Sequence, residues 1–224
     1  MTWENYELDE GLRKHDPHVQ DFIRRQLKEG ETFYDIGAHV GIMTRVALDV
    51  LKTTGHVYAF EPNPKATARL IDNCGRVENL TILPVACSTF HNQFLNLVYL
   101  GSHSGGAMTF DEKHTPNEGS YAGHPFERTV VRTMGVSLDE MIDMNVIKAP
   151  NVIKADTQGH EVAWMLGAKR ILSNHTLHSM VIEWDDGLLH YHGQEEGHLF
   201  DLLKETGWKW SFLEGWGDLF CVRE

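Results

Sequence analysis

An acidic residue and two glycines meet at one turn of the sequence. The segment Asp35-Ile-Gly-Ala-His-Val-Gly41 follows a predicted strand and precedes a predicted helix. Ligands bind at such strand ends in α/β sheets, because glycine lets backbone amides approach a ligand and an acidic side chain can hold a polar or cationic group. His39 stands where a pyrophosphate-binding G-x-G-x-x-G pattern has its middle glycine, so the turn disfavours a dinucleotide. The turn predicts either a ligand site at Asp35, Gly37, His39 and Gly41 or a plain helix-capping turn.

A second acidic residue, Glu61, ends the next predicted strand. A carboxylate at this place can accept hydrogen bonds from both ribose hydroxyls of a nucleoside. Taken alone, Glu61 would be a solvated strand end, and Asn63-Pro64 is explained as a helix cap. Together with the glycine turn, Glu61 predicts a nucleoside-containing ligand.

A third group of reactive side chains ends a later predicted strand. The segment Lys154-Ala-Asp-Thr-Gln-Gly-His-Glu161 places titratable groups beside the first strand of a doubly wound sheet, where an acceptor substrate is expected. Asp156 is the candidate general base, and His160 is the alternative. The competing interpretation is that Asp156 caps a helix whose first turn holds Glu161.

The sequence contains 14 histidines, which raises the question of a metal site. His190 and His192 form the tightest pair, with Asp185 and Asp186 just before them, and Asp156 could join them. Their spacing matches no standard zinc motif. We therefore predict no metal site.

Apolar runs and helical patterns alternate from about residue 33, which predicts an α/β fold with a doubly wound, mostly parallel sheet. The chain closes with a predicted antiparallel hairpin, unlike the ordinary dinucleotide-binding fold. Trp208, Trp210 and Trp216 in this hairpin are predicted to pack in the core rather than to stack on a sugar. The predicted strands of the sheet before the hairpin are 32–36, 56–61, 80–85, 151–156 and 177–183.

No repeat or linker interrupts the pattern, so we expect a single domain over residues 1–224. A predicted helix begins at Asp16-Pro17 and covers about 16–29. Strands at 93–100 and 127–133 are predicted to enclose a loop, so that about 93–133 forms a loop and hairpin insertion long enough to be functional.

Composition limits the class of protein. The 224 residues include 20 Lys and Arg against 32 Asp and Glu, giving a net charge of −12, which disfavours binding to nucleic acid backbones. No stretch fits a membrane span, and the acidic first ten residues are the reverse of a signal peptide. The three cysteines share no C-x-x-C spacing, which indicates reduced thiols. We expect a cytoplasmic protein with no membrane partner, and the sequence predicts no oligomeric state.

Several motifs together resemble the FkbM family of S-adenosylmethionine-dependent methyltransferases, and the resemblance covers most of the chain. It rests on the glycine turn, on the strand-four segment with Leu166-Gly-Ala168, and on three further motifs. Those motifs are Ala59-Phe-Glu-Pro-Asn-Pro64, Gly105-Gly-Ala-Met108 and Val136-Ser-Leu-Asp139.

The resemblance implies a seven-stranded sheet with a reversed last strand and a Rossmann-like methyltransferase fold. It implies S-adenosyl-L-methionine as cofactor and methyl transfer to an oxygen of a sugar or small metabolite. Glu61, Pro62, Ala86 and Cys87 would then join the glycine turn in binding the cofactor, with Ala86 and Cys87 beside the adenine. Two residues depart from the family pattern, because His39 replaces an Asn and Gln158 replaces a Glu.

We therefore expect a methyltransferase that acts on a small-molecule or glycan acceptor. Three alternatives stay open: a nicotinamide-dependent oxidoreductase, a non-catalytic S-adenosylmethionine-binding module, and a nucleic acid methyltransferase. His39 and the terminal hairpin disfavour the first of these. The net charge disfavours the third, as does the lack of an Asn/Asp-Pro-Pro-aromatic motif after the fourth strand.

Overall fold

The computed structural model describes residues 15–100, 107–110, 118–121, 124–184, 196–212 and 217–223. Several residues named above lie outside this part of the chain. They are Gly105, Gly106, Asp185, Asp186, His190, His192 and Trp216.

Helices and strands alternate along the described chain. The helices are α1 (Pro17–Gln26), α2 (Ile42–Leu51), α3 (Pro64–Cys74), α4 (Leu138–Asp143), α5 (Glu161–Leu166), α6 (Lys169–Ser173) and α7 (Glu196–Glu205). The first six strands are β1 (Thr32–Ile36), β2 (His56–Phe60), β3 (Leu80–Leu83), β4 (Ala86–Cys87), β5 (Gln93–Leu100) and β6 (Ala107–Phe110). The other six are β7 (Glu118–Tyr121), β8 (His124–Val136), β9 (Val152–Ala155), β10 (Ser179–Glu183), β11 (Lys209–Phe212) and β12 (Asp218–Val222).

The main sheet has seven strands in the order β11-β12-β10-β9-β1-β2-β3. Its strands are parallel except for β12, which is antiparallel to both of its neighbours. The predicted α/β fold, with a doubly wound, mostly parallel sheet and a C-terminal antiparallel hairpin, is confirmed.

Both faces of the central strands β1, β2, β9 and β10 are buried, as parallel sheets require. Successive residues of a strand point to opposite faces, so Phe33 and Tyr34 belong to different core clusters. The first cluster joins the sheet to α5, α6 and α7 through residues such as Trp164 and Leu199. The second joins it to α1, α2 and α3, for example through Val46.

Helix α1 packs over the terminal hairpin. The ring of Phe22 lies 5.0 Å from that of Phe220, and His18 Nε2 lies 2.5 Å from Asp218 Oδ2. Asp16 occupies the N-cap position of α1 and Pro17 follows at the first helical position, where the helix was predicted to begin, although the Asp16 side chain makes no capping hydrogen bond. The side chain of Asn63 caps α3 as predicted. Helix α1 ends at residue 26 instead of 29.

Of the three tryptophans predicted to pack in the core, Trp208 is buried. Its Nε1 donates a hydrogen bond of 3.0 Å to Leu172 O, and the Arg223 guanidinium lies 4.4 Å from its ring centroid. Trp210 is half-buried and stacks on Phe200 at 5.5 Å.

The segment between β3 and α4 builds a second sheet in the order β4-β8-β5-β6. Strands β5 and β8 form an antiparallel pair from Gln93↔Gly135 to Leu100↔Arg128. The predicted insertion therefore supplies most of a sheet rather than a loop with one hairpin. Strand β8 extends beyond the predicted 127–133, because its first residues, 124–127, pair with β7 and its last two, Gly135 and Val136, pair with β4.

No helix among the described residues is long and apolar enough to cross a membrane.

Gly37 allows the loop after β1 to touch the loop after β9. Its φ is +74°, and a Cβ placed on it would lie 1.8 Å from the backbone oxygen of Asp156. Its amide donates a hydrogen bond of 2.9 Å to Phe60 O on the other side. No side chain larger than hydrogen fits between these two neighbours.

We expect Gly37→Ala to destabilise the protein far more than Gly207→Ala. Gly207 also has a positive φ, of +80°, but nothing lies within 4 Å of an added Cβ. Gly207→Ala should cost about 1–2 kcal/mol, the strain of a left-handed residue alone. Gly37→Ala should cost at least about 2 kcal/mol more, because backbone must move. Urea unfolding of both variants measures the difference, and equal losses would contradict the close approach at Gly37.

Candidate functional site

The candidate site lies where the carboxyl ends of four parallel strands meet. Ile36 is in register with Phe60 on one side and with Ala155 on the other, and Ala155 is in register with Ile182. The residues that follow these positions therefore share one edge of the sheet. They are Gly37, Glu61, Asp156 and Glu183.

Glu61 links the loops that follow β1 and β2. Its Oε2 accepts a hydrogen bond of 2.7 Å from His39 N, and its Oε1 accepts one of 2.8 Å from Asn63 N. The residue is 6% exposed. Burial raises the pKa of Glu61 to about 7, although the two backbone N–H groups act in the opposite direction. Each oxygen retains a lone pair after these two bonds.

The glycine turn is shaped by close protein contacts. A Cβ on Gly41 would lie 2.5 Å from Leu70 Cδ1 and 2.7 Å from Cys74 Sγ, so this glycine lets α2 approach α3. His39 has a φ of +51° and contributes its backbone amide to Glu61. The contacts of these residues with a ligand stay predictions.

Asp35 is fully buried and pairs with Lys154. Its Oδ2 accepts a hydrogen bond of 2.6 Å from Thr44 Oγ1, and its Oδ1 lies 3.3 Å from Lys154 Nζ. The same ammonium donates to Gly37 O at 2.7 Å. Burial acts to lower the pKa of Lys154, but the charges of Asp35 and Asp156 outweigh it and raise the pKa. In the structure, the cation that Asp35 holds is therefore Lys154.

Asp156, Gln158 and Glu183 form a second polar group at this edge. Gln158 Nε2 donates to Asp156 Oδ1 at 2.8 Å and to Glu183 Oε2 at 2.6 Å. The side chain of Asp156 is 31% exposed, and Lys154 Nζ lies 3.9 Å from its Oδ2. Sequence reasoning missed Glu183, although its place at the end of the strand predicted for 177–183 was the available signal.

The loop after β9 is held by Glu161. Its Oε1 accepts hydrogen bonds from Thr157 N at 3.1 Å, from Thr157 Oγ1 at 2.8 Å and from Gly159 N at 3.3 Å. Burial raises the pKa of Glu161 to about 7. The N-cap position of α5 belongs to His160, so the interpretation of Asp156 as the helix cap is wrong.

The remaining predicted site residues are His160, Ala86, Cys87 and Pro62. His160 Nε2 is 3.4 Å from Ser88 Oγ, beside the start of the second sheet. Ala86 and Cys87 are buried in β4, and Cys87 packs in the core. Pro62 is half-buried. The adenine contact of β4 and the base role of His160 stay predictions.

Among the residues that the structure describes, no three His, Cys, Asp or Glu side chains are grouped so that they could hold a metal ion.

A family model described as a methyltransferase FkbM domain matches residues 35–209. The hexuronic acid methyltransferase AglP of Haloferax volcanii is 28% identical to the chain over 158 residues, which are 69% of this chain and 58% of AglP. The chain thus spans little more than half the length of this curated relative.

Solved structures show the same fold at low identity. A crystal structure of a methyltransferase FkbM from Methylobacillus flagellatus has a TM-score of 0.53 at 16% identity and covers 88% of this chain and 44% of that one. Fibrillarin from Aeropyrum pernix, in complex with natively bound S-adenosyl-L-methionine, has a TM-score of 0.53 at 9% identity and covers 92% and 74%.

We expect Lys154→Met to destabilise the protein by about 3–5 kcal/mol, because it leaves the buried Asp35 carboxylate without its cation. The double variant Lys154→Met with Asp35→Asn should recover much of that loss, since no charge is then left unpaired. Urea unfolding measures all members of the cycle. Lys52→Met is the control, because Lys52 and its partner Glu29 are both exposed to solvent, and loss of such an ion pair should change the unfolding free energy little. Additive losses in the double variant would contradict the pairing.

Proposed function

The chain belongs to the FkbM methyltransferase family, and from that premise we propose that it transfers a methyl group from S-adenosyl-L-methionine to a hydroxyl oxygen of a sugar or another small metabolite. The hexuronic acid methyltransferase relative supports a glycan or small-molecule acceptor. Structural neighbours with bound cofactor or its demethylated product support the choice of cofactor.

The proposal is supported most strongly by the way the Glu61 carboxylate is held. Two backbone amides hold its carboxylate in place, one on each oxygen, and the second lone pair of each oxygen is left for a ligand. Two vicinal ribose hydroxyls are a matching pair of donors. Because the amides come from the loops after β1 and β2, the carboxylate is fixed before a ligand arrives.

The charges at this edge also suit the cofactor. S-adenosyl-L-methionine carries a sulfonium and an ammonium group, and ionised Asp156 supplies negative charge at the end of β9. When bound, the cofactor supplies an electrophilic methyl group. Glu61 would hold the ribose, and the turn from Gly37 to Gly41 would line the same crevice.

The acceptor would lie beside Asp156. We assign this carboxylate the orientation of the acceptor hydroxyl and the removal of its proton, because its partly exposed side chain ends the strand next to the glycine turn. His160 is the alternative base. Its ring lies near Ser88, at the edge of the second sheet.

The same proposal places the protein in the cytoplasm. Cys74, Cys87 and Cys221 are free, buried thiols, which suits a reducing compartment. A net charge of −12 favours a small acceptor over a nucleic acid.

We expect S-adenosylhomocysteine to bind in isothermal calorimetry, and Glu61→Gln to weaken that binding by about 1–3 kcal/mol, the cost of losing an acceptor in a charged hydrogen bond. Since the pKa of Glu61 is about 7, affinity of the wild type should fall as the pH drops below that value and the carboxylate is protonated. The variant should lack this step.

Glu78→Gln is the matched control, because Glu78 is exposed beyond α3. Urea unfolding of Glu61→Gln separates lost binding from lost folding. Unchanged affinity in Glu61→Gln, or binding of NAD at similar strength, would reject the assignment of Glu61 to the ribose.

Methyl transfer itself is tested with isotopically labelled S-adenosyl-L-methionine and a panel of hexuronic acids, other glycosides and RNA, with mass spectrometry of the products. We expect labelled methyl on a sugar oxygen and none on RNA. Asp156→Asn should lower turnover by about 10²–10⁴ with cofactor affinity nearly intact. EDTA should leave turnover unchanged. Labelled RNA without a labelled sugar would overturn the proposed acceptor class.

A further inference from the structure

We propose that Glu183 is a second acid–base group of the acceptor site: with Asp156 it forms one carboxyl pair that holds a single proton and binds the acceptor hydroxyl, and Gln158 positions the pair. This inference rests on the proposed methyl transfer. The pair joins two strands that are separated in sequence by α5 and α6, which is why no short motif contains it.

The register of the sheet brings Asp156 and Glu183 to neighbouring positions. Val181 is paired with Lys154 and Ile182 with Ala155 in parallel β10 and β9, so Glu183 and Asp156 follow at neighbouring positions. Alternation along a strand puts Asp156 on the same face as Lys154, and Lys154 Nζ lies 3.9 Å from its carboxylate. The two carboxyl groups therefore face the same end of the crevice.

The side-chain amide of Gln158 bridges the two carboxyl groups. A primary amide has two N–H bonds, and Gln158 uses one on Asp156 Oδ1 at 2.8 Å and the other on Glu183 Oε2 at 2.6 Å. Gln158 also has a φ of +53°. A left-handed backbone in a residue other than glycine is costly and typical of functional sites, where surrounding contacts enforce it.

The charges of the two carboxyl groups determine how many protons the pair holds. Two carboxylates that share one amide group repel each other unless one of them holds a proton. Burial, and then the charge of Asp156, raise the pKa of Glu183 well above its ordinary value. Burial also acts to raise the pKa of Asp156, but Lys154 and the hydrogen bonds from Glu183 and Gln158 outweigh it and hold that pKa below its ordinary value. One group of the pair is thus protonated and the other ionised.

Other charged groups face the pair from each packed element. They are Lys154 from β9, His39 from the glycine turn, Glu61 from the end of β2, Glu161 from α5, and Asp218 from β12, which is in register with Glu183 and bonded to His18 of α1. Lys154 is the permanent cation among them, and it is shared with Asp35. The net charge around the pair therefore favours retention of its one proton.

In the reaction, the ionised oxygen of the pair accepts a hydrogen bond from the acceptor hydroxyl. An electron pair of the hydroxyl oxygen forms the new C–O bond while the C–S bond breaks and its electrons stay on sulfur. The hydroxyl proton passes to the pair, which afterwards releases one proton to solvent. An oxygen that is being methylated is strongly acidic, so a carboxylate of low pKa is sufficient as base.

The first test uses Glu183→Gln, with Glu205→Gln on the exposed side of α7 as matched control. We expect turnover of Glu183→Gln to fall by about 100-fold or more, while its affinity for S-adenosylhomocysteine stays within about twofold. Turnover within about threefold of the wild type, or a parallel loss of affinity and turnover, would overturn the proposal.

A second readout needs neither cofactor nor acceptor. A group whose pKa is raised on folding loses its stabilising effect as the pH rises through that pKa, so the wild type should lose unfolding free energy as the pH rises above the ordinary titration range of a glutamate. Glu183→Gln should lose less over the same range, and Glu205→Gln should match the wild type. Identical pH dependence in Glu183→Gln and wild type would reject the shared proton, even if no acceptor has been found.

The positioning role is tested with Gln158→Gly, which removes the amide and relieves the positive φ. Stability should stay equal or rise, while turnover falls by about tenfold or more at unchanged affinity for S-adenosylhomocysteine, since the two carboxyl groups lose the donor that holds them together. A purely structural Gln158 would give lower stability and unchanged turnover per folded molecule. Absence of methyl transfer in the wild type would instead reject the proposed function.

Discussion

The buried ammonium of Lys154 is the interaction on which the candidate site depends. It lies between β9 and β1, within reach of the Asp35 and Asp156 carboxylates and of the Gly37 carbonyl. One cation therefore compensates a carboxylate inside the sheet and fixes the backbone of the glycine turn. It also keeps a second carboxylate ionised at the crevice. Buried charges persist when they are paired and hydrogen-bonded, and this arrangement satisfies that condition across two strands.

The two departures from the family pattern take on physical meaning in this setting. His39 adopts a left-handed backbone, and histidine shares with asparagine a raised tolerance for that conformation. Its backbone amide donates a hydrogen bond to Glu61. At residue 158 the exchange changes the hydrogen bonding itself. Glutamine donates to both neighbouring carboxyl groups, whereas an ionised glutamate has no proton to donate.

The sequence was most informative where a property is local. The order of strands and helices, the placement of Glu61 and Asp156 at strand ends, and the terminal hairpin all follow from periodicity and turn residues. The partners of those side chains do not. Asp35 meets Lys154, and Asp156 meets Glu183, only through strand order and register, which no short segment contains. The second sheet was underestimated for the same reason, because the pairing of β5 with β8 joins distant segments.

The contact between His18 and Asp218 spans 200 residues of sequence. Contacts this distant close a long loop and form late, after the local units have folded. During synthesis at the ribosome, α1 emerges before every strand of the main sheet but finds Asp218 and Phe220 only after β12 has been made. Strand β12 beside β10, and with it the final surroundings of Glu183, is therefore completed late in folding. A nascent chain would have its glycine turn and Glu61 in place well before its acceptor side was assembled.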